Sequence, residues 1–318
     1  MAARATRSAS RKARLTEAVA TGPLGALSHD ELGVIFDGLA DPLQPVVAVA
    51  LSSTCLGLRT PLGAALAVLK GRNARAAALC RKVQMTCAEL RDAEGLDWCV
   101  KGLTADDMAT LEMILRTNGL PRLEKLSLTS NGFGDAGMQA LCDGLGRGAV
   151  PSLRVLSLSG NKFGPAGAEA LAAALRTGAR PKLERLGLAV NPIGNQGVAA
   201  LAVPLRKLPA FRGLMLVQCE IGDEGVASLV DNLGKDDFKA LETVWIAENN
   251  VTDAGMASVV AALNAGGLLR LRNPPEFDAR FLENNPASTS AVLAVKDALA
   301  KRFASDASAE SASEELSV

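Results

Sequence analysis

The sequence predicts an α/β solenoid, in which parallel strands alternate with helices, preceded by a small all-α unit. Three observations carry this reading. An apolar phrase returns about every thirty residues between 90 and 265. Each return is followed by a Gly- or Thr-led segment whose leucines recur at helical spacing. The residues ahead of the first return lack the phrase and show helical periodicity alone. Self-similarity at a fixed period is the signature of stacked repeats, each burying a face that it cannot cover by itself.

The chain divides into five segments: a disordered basic tail over 1–22, a helical unit over 23–86, repeats over 87–275, a terminal cap over 276–303 and a disordered tail over 304–318. The first sixteen residues carry Arg4, Arg7, Arg11, Lys12 and Arg14 with no acid before Glu17. That composition suits either a solvated basic tail or an organelle import peptide, and no apolar stretch follows that would serve secretion.

In the helical unit, Ser28 and Glu31 have the spacing of a capping box. Leu32, Ile35, Phe36 and Leu39 then follow at helical intervals. Pro42 and Pro45 break the pattern, an apolar run spans Val46 to Leu58, and Pro61 opens a third helix through Leu62, Leu66 and Leu69. A basic helical stretch with Arg72, Arg75, Arg81 and Lys82 is expected to join this unit to the repeats.

The repeats read Leu123-x-x-Leu126-x-Leu128-x-x-Asn131, and the same phrase starts at Leu153 and Leu183. It returns as Phe211, Leu214, Leu216 and Cys219, and as Leu241, Val244, Ile246 and Asn249. An earlier, atypical copy holds Leu96, Trp98 and Leu103, with Lys101 in the Asn slot, so Trp98 is expected in the core. The column Thr104, Gly134, Gly164, Gly194, Gly222 and Thr252 is expected to cap the helices, since Thr and Gly are both acceptable N-caps. A second column, Gly137, Gly167, Gly197, Gly225 and Gly255, is expected to permit close helix packing. Pro204 is expected to kink or shorten its helix. A last short strand is expected at Leu268–Leu271, an echo of the phrase at Leu282, Asn285 and Pro286, and a sealing helix from about Ala291 to Phe303.

Composition narrows the chemistry. Lys and Arg balance Asp and Glu at 34 each, so no global field favours nucleic acid or an anionic membrane. No apolar stretch approaches the ~18 residues of a membrane span. His29 is the only histidine, and no nucleophile, base and orienting group are clustered. The sequence therefore predicts no enzyme, no metal and no cofactor. The six cysteines show no close pairing and are expected to be free thiols in a reducing compartment.

Alternate side chains of a strand face opposite ways, so residues between the Leu slots line one open face. The central column reads Asp97, Ser127, Ser157, Gly187, Met215 and Trp245. Beside it run Cys99, Thr129, Ser159, Ala189, Val217 and Ala247, and also Gly95, Lys125, Val155, Arg185, Gly213 and Thr243. Small polar residues give way to Met215, Val217 and Trp245, and such an apolar patch marks an interaction site. Trp245 is the expected anchor, with Arg185, Gln218 and Glu248 as its polar rim.

The phrase at 90–265 resembles the leucine-rich repeat of the ribonuclease-inhibitor class. That resemblance implies a right-handed horseshoe with a concave parallel sheet and outer helices, a cytoplasmic or nuclear site, and a protein partner. The class includes inhibitors, innate-immune sensor arms, Ran GTPase activators and ligase receptors. Residues Leu27 to Arg59 resemble an F-box, matching at Glu31, Leu32, Ile35, Phe36, Leu39, Leu51, Cys55 and Arg59, with Ser28 and Leu58 departing from the usual Pro and Trp. The order of the two modules implies a substrate receptor of an F-box-type ubiquitin ligase, docking a Skp-type adaptor through Leu32, Ile35, Phe36 and Leu39. A non-ligase scaffold or inhibitor and a small-GTPase activator remain alternative readings.

Overall fold

The structure is a computed structural model that describes residues 29–54, 62–117, 119–146, 148–177, 182–234, 236–268, 271 and 282–301. The capping-box Ser28, the F-box matches Cys55 and Arg59, Leu58, and both tails lie outside those residues. The chain falls into two compact units, Met1–Asp92 and Ala93–Val318.

The first unit contains α1 (His29–Leu39), α2 (Val46–Thr54), α3 (Gly63–Lys82) and α4 (Cys87–Asp92). Leu32 and Phe36 of α1 pack with Ala40, Ala48, Leu62 and Leu69 as its core. Asn73 donates to the carbonyl of Pro42 at 2.7 Å, which ties α3 to the proline-marked turn. The third helical segment and the basic stretch that follows it form one continuous twenty-residue helix. No proline or glycine pair interrupts 63–82, so nothing ends the helix until the turn at Val83–Thr86. Thr86 and Glu89 then form a capping box: the Thr86 amide donates to the Glu89 carboxylate at 2.6 Å and the Glu89 amide donates to Thr86 Oγ1 at 3.1 Å. The turn also brings Cys87 close enough to act on the Cys80 thiol, a proximity that linear spacing concealed. Burial first, then that neighbour, pushes the Cys80 thiol up to about 12.

The second unit alternates strands and helices: β1 (Gly95–Asp97), α5 (Ala105–Thr117), β2 (Lys125–Ser127), α6 (Gly134–Leu145), β3 (Val155–Ser157) and α7 (Pro165–Thr177). It continues with β4 (Arg185–Gly187), α8 (Gly194–Arg206), β5 (Gly213–Met215), α9 (Asp223–Val230), β6 (Thr243–Trp245) and α10 (Asp253–Asn264). The strands form one parallel sheet in sequence order. Every pair is in phase, so Leu96, Leu126, Leu156, Leu186, Leu214 and Val244 form one row. All of that row except Val244 is fully buried, as is Trp98.

The Asn slots form a ladder that satisfies the backbone where each strand ends. Asn161 Oδ1 accepts from the amides of Asn131 and Gly132, both at 3.0 Å. Its Nδ2 donates to the carbonyls of Leu128 at 3.0 Å and Leu158 at 2.8 Å. Asn131, Asn191 and Asn249 also donate both to their own turn and to the preceding one. Asn285 extends the ladder by one turn, donating to Ile246 and Leu282 and accepting from Val251. Cys219 keeps long thiol contacts to Leu188 O at 3.3 Å and Val217 O at 3.5 Å. Burial pushes its thiol up to about 12, which makes it an inert core group.

The two threonines of the capping column cap their own helices as expected, Thr104 through a box with Asp107 and Thr252 by accepting from the Ala254 amide, whereas the glycine members are served by the neighbouring repeat. Asp135 Oδ1 accepts from the amides of Gly164 and Gly167, both at 2.8 Å. Asn195 does the same for Gly222 and Gly225, Asp223 for Thr252 and Gly255, and Asp253 for Ser288. Ala105 and Pro165 occupy the equivalent slot in the two repeats that offer no acceptor. The helices after those two begin at Gly134 and Gly194 with φ of +66° and +59°. There the glycine amides turn to the carbonyls of Asn161 and Cys219 instead. Left-handed backbone is cheap only for glycine, which explains these two members of the column.

The second glycine column is explained by the same oxygens. A Cβ at Gly167, Gly225 or Gly255 would come within 2.8, 2.7 or 2.5 Å of the capping oxygen. Those oxygens sit on residues of the preceding helices, so the expected close helix packing holds there, as it does at Gly197, where a Cβ would meet Ala168 Cβ at 2.9 Å; at Gly137 the crowding comes from Phe133 of its own repeat at 2.7 Å.

Asp223 offers a direct test. Partial burial opposes its charge, but the Thr252 hydroxyl and the Thr252 and Gly255 amides outweigh this and hold its carboxyl below the usual range. A depressed folded-state pKa adds stability above the unfolded value of about 4, lost as pH falls through the folded one. Asp223→Ala should cost about 1–2 kcal/mol in urea melts at neutral pH, as for lost caps generally. That deficit should shrink below pH 4; a deficit unchanged down to pH 2 would show that the carboxylate is not the cause.

Pro204 does not end α8, which runs on to Arg206. The carbonyl that its missing N–H would have served belongs to Ala200, and Arg176 of the preceding helix donates to it at 3.3 Å. Arg206 likewise reaches forward to the carbonyls of Ser228 and Asp231, closing the short α9. The strand expected at Leu268–Leu271 is a turn where described, with Leu268 at φ +54° and the Leu271 amide bonded to the Leu268 carbonyl. Residues 289–301 are helical and bury Val295 and Leu299.

Candidate interaction face

Period-two alternation places the intervening residues on the solvent side of the sheet. Met215 and Trp245 are direct register partners across β5 and β6. Met215 is 42% exposed, while Val217 and Trp245 are half-buried. Gly187 lies beside Met215 on β4, so no side chain stands on that flank.

Arg185 is exposed, and its stem leans over Gly213, where a Cβ would meet Arg185 Cγ at 3.4 Å. Among the described residues its guanidinium has no ion-pair partner. Gln218 and Glu248, both exposed, are hydrogen-bonded to each other. They form a closed polar rim rather than two independent contacts.

The face changes character toward β1. Ser127 Oγ contacts Cys99 Sγ at 2.9 Å and Thr129 Oγ1 at 3.5 Å. Lys125 is exposed there and, like Arg185, has no ion-pair partner among the described residues. Asp97 ends the row, its carboxyl held below the usual range by hydrogen bonding from Cys99. The helix and turn residues of the same repeats carry alternating charges that do find partners: Arg154 bridges Glu124 and Glu184, and Arg212 pairs with Glu242. This ladder runs along the strand entrances, and such surface pairs contribute at most about 1 kcal/mol each.

Sequence reasoning missed one column. Val100, Ser130, Gly160, Val190, Gln218 and Glu248, one before each Asn slot, all have positive φ. For β-branched valine this conformation is strained. Val190 is 51% exposed and adds an apolar side chain to the rim near Val217. The only sequence signal was Gly160 in that column. Val100 is 75% exposed, so Val100→Asn removes strain and almost no packing. It should stabilise the unit by about 1 kcal/mol in chemical denaturation; a loss of stability would show that the valine is held there by packing.

On the helical unit, the four residues assigned to docking separate. Leu32 and Phe36 are buried at 6% and 1% and hold α1 to its own core. Ile35 and Leu39 are exposed, together with Val34 and, on α2, Val46 and Val47. Only Ile35 and Leu39 of the four are therefore placed to meet another molecule. No group of three or more His, Cys, Asp or Glu that could hold a metal exists among the described residues.

Residues 120–142 and 151–172 match the Leucine Rich repeat family. The chain contains leucine-rich repeats. The two matched stretches hold Asn131 and Asn161, where the phrase is cleanest. Among solved structures, the chain is similar to "Leiomodin-1 Actin-Binding Site 2 (ABS2)" at 10% identity, covering 65% of this chain and 95% of that one, with a TM-score of 0.34. No curated protein matches the chain. Leucine-rich repeats generally mediate protein–protein interaction and are typically binding modules without catalysis.

Proposed function

We propose that the solvent side of β4–β6 is a docking surface for a protein partner, centred on Met215 and Trp245. The observation that carries this is the pairing of two large apolar side chains across β5 and β6, on the open side of the sheet. Met, Trp and Arg are enriched at interface centres, and burying Met215 against a partner would recover apolar area now left in water. The resemblance to the ribonuclease-inhibitor class supports the same surface.

The test is affinity capture with the full chain, quantified against two variants. Met215→Asp combined with Trp245→Ala should abolish partners that Val203→Asp retains, since Val203 is an exposed residue of a helix. Equal capture by both variants would place binding elsewhere.

A more specific reading is that this surface holds the target of an F-box-type ubiquitin ligase. Its support is the module order and the exposed Ile35 and Leu39 beside Val46 and Val47. Full-length chain mixed with purified Skp-type adaptor should form a complex on gel filtration, which Ile35→Asp/Leu39→Asp removes. With no complex, the scaffold, inhibitor and small-GTPase-activator readings stand, and the captured partner decides among them.

A further inference from the structure

We infer that the segment docked on this face is an extended acidic peptide of the partner, with carboxylates on Lys125 and Arg185 and an apolar anchor on Met215 and Trp245. This rests on the docking surface proposed above and adds the chemistry of its occupant. The arginines of the strand entrances are consumed: Arg122 by Glu94, Arg154 by Glu124 and Glu184, Arg212 by Glu242; within the six strands themselves the cations are Lys125 and Arg185. Lys125 and Arg185 occupy one column of the open face, on β2 and β4, and have no ion-pair partner among the described residues. Between and beside them stand Val155 and the hydroxyls of Ser127, Ser157, Thr129 and Ser159, which can donate to carboxylate oxygens.

The face also excludes acids at its two ends. Asp97 stays ionised at the β1 end, and Glu248, held by Gln218, stands on the far rim. An anionic ligand is therefore favoured only over β2–β4, next to the apolar pair on β5 and β6.

Geometry converts this into a spacing. Lys125 and Arg185 lie two strands apart, or roughly 10 Å, which an extended chain crosses in about three residues. From Arg185 to Trp245 is two further strands and two residues along, roughly 12 Å, or three to four residues. The expected ligand therefore carries two acids about three positions apart, then an apolar residue three or four positions beyond the second. The lean of Arg185 over Gly213 points its stem toward the apolar pair, in keeping with one continuous ligand.

The experiment is selection from a random displayed dodecapeptide library on three immobilised baits: the full chain, its Lys125→Glu/Arg185→Glu variant, and the chain ending at residue 301. Both substituted side chains are exposed, so thermal melts should be unchanged. The full chain should enrich peptides with paired acids and an apolar anchor. A synthetic copy of the best one should bind about tenfold or more weaker to the double variant, and weaker as salt rises. Three results would overturn the inference. Peptides without acidic bias, or acidic peptides that bind the double variant equally, would reject the acidic class. Enrichment only after removal of 302–318 would assign the face to the chain's own tail, which carries Asp306, Glu310, Glu314 and Glu315. Binding lost with Met215→Asp/Trp245→Ala but insensitive to charge reversal would keep the docking surface and reject its acidic occupant alone.

Discussion

Leu188→Asp is expected to leave the repeat unit unfolded at room temperature. Leu188 is fully buried, with its backbone amide bonded to Met215 O and its carbonyl to Asn191. An ionised carboxylate there would have no cation within reach, and the substitution also removes the packing of a whole leucine. Loss of packing alone costs about 2–5 kcal/mol, and an unpaired buried charge adds several more. The sum approaches the 5–15 kcal/mol that hold a typical domain together. Stacked repeats depend on their neighbours, so failure of the third leucine row should spread to β3 and β5. Far-ultraviolet circular dichroism and urea melts read this directly. Trp245→Ala is the paired control. Two residues whose slots differ only in parity should then give opposite results, Trp245→Ala losing little stability but much binding. If both variants melt alike, Trp245 belongs to the core and the docking surface loses its centre.

Asn161→Ala is expected to cost about 4 kcal/mol, more than a polar residue usually commands. The side chain is fully buried and serves two amides of the preceding turn and the carbonyls of Leu128 and Leu158, with a longer contact to Ser159 O. Each buried group left without a partner costs about 1–3 kcal/mol, and some of that is recovered as water enters. Asn161→Cys should fall between wild type and alanine, because the Cys219 thiol in the equivalent slot reaches two carbonyls but can serve no amide as Asn Oδ1 does. Equilibrium urea denaturation of the three proteins should rank them in that order. An alanine variant as stable as wild type would mean that the ladder is decoration on a fold held by its leucines.

The same comparison shows which features were legible in the linear sequence. The leucine rows and the Asn slots were readable because each repeat presents the same residue to the same neighbour, so local spacing and three-dimensional position coincide. Met215 and Trp245 could be placed beside each other on the open face for that reason. The capping between repeats was not legible, since its oxygen sits in the previous repeat, 27 to 35 residues away. Gly164 and Gly194 look alike in sequence, yet only Gly194 needs left-handed backbone, because Pro165 offers it no acceptor where Asp135 serves Gly164. Pro204 appeared disruptive for the same reason: its rescue comes from Arg176 on another helix.

By itself, then, the sequence determined the repeat, its parity and the residues of the open face, because apolar periodicity dictates which side of a strand or helix is buried. It also determined that α1 carries an apolar stripe, but not which members of the stripe are core. Only the tertiary structure divided Leu32 and Phe36 from Ile35 and Leu39. Only the tertiary structure separated the paired cations of the strand entrances from the unpaired Lys125 and Arg185. Periodicity reports a face, whereas burial and ion pairing depend on which atoms of distant segments arrive opposite it.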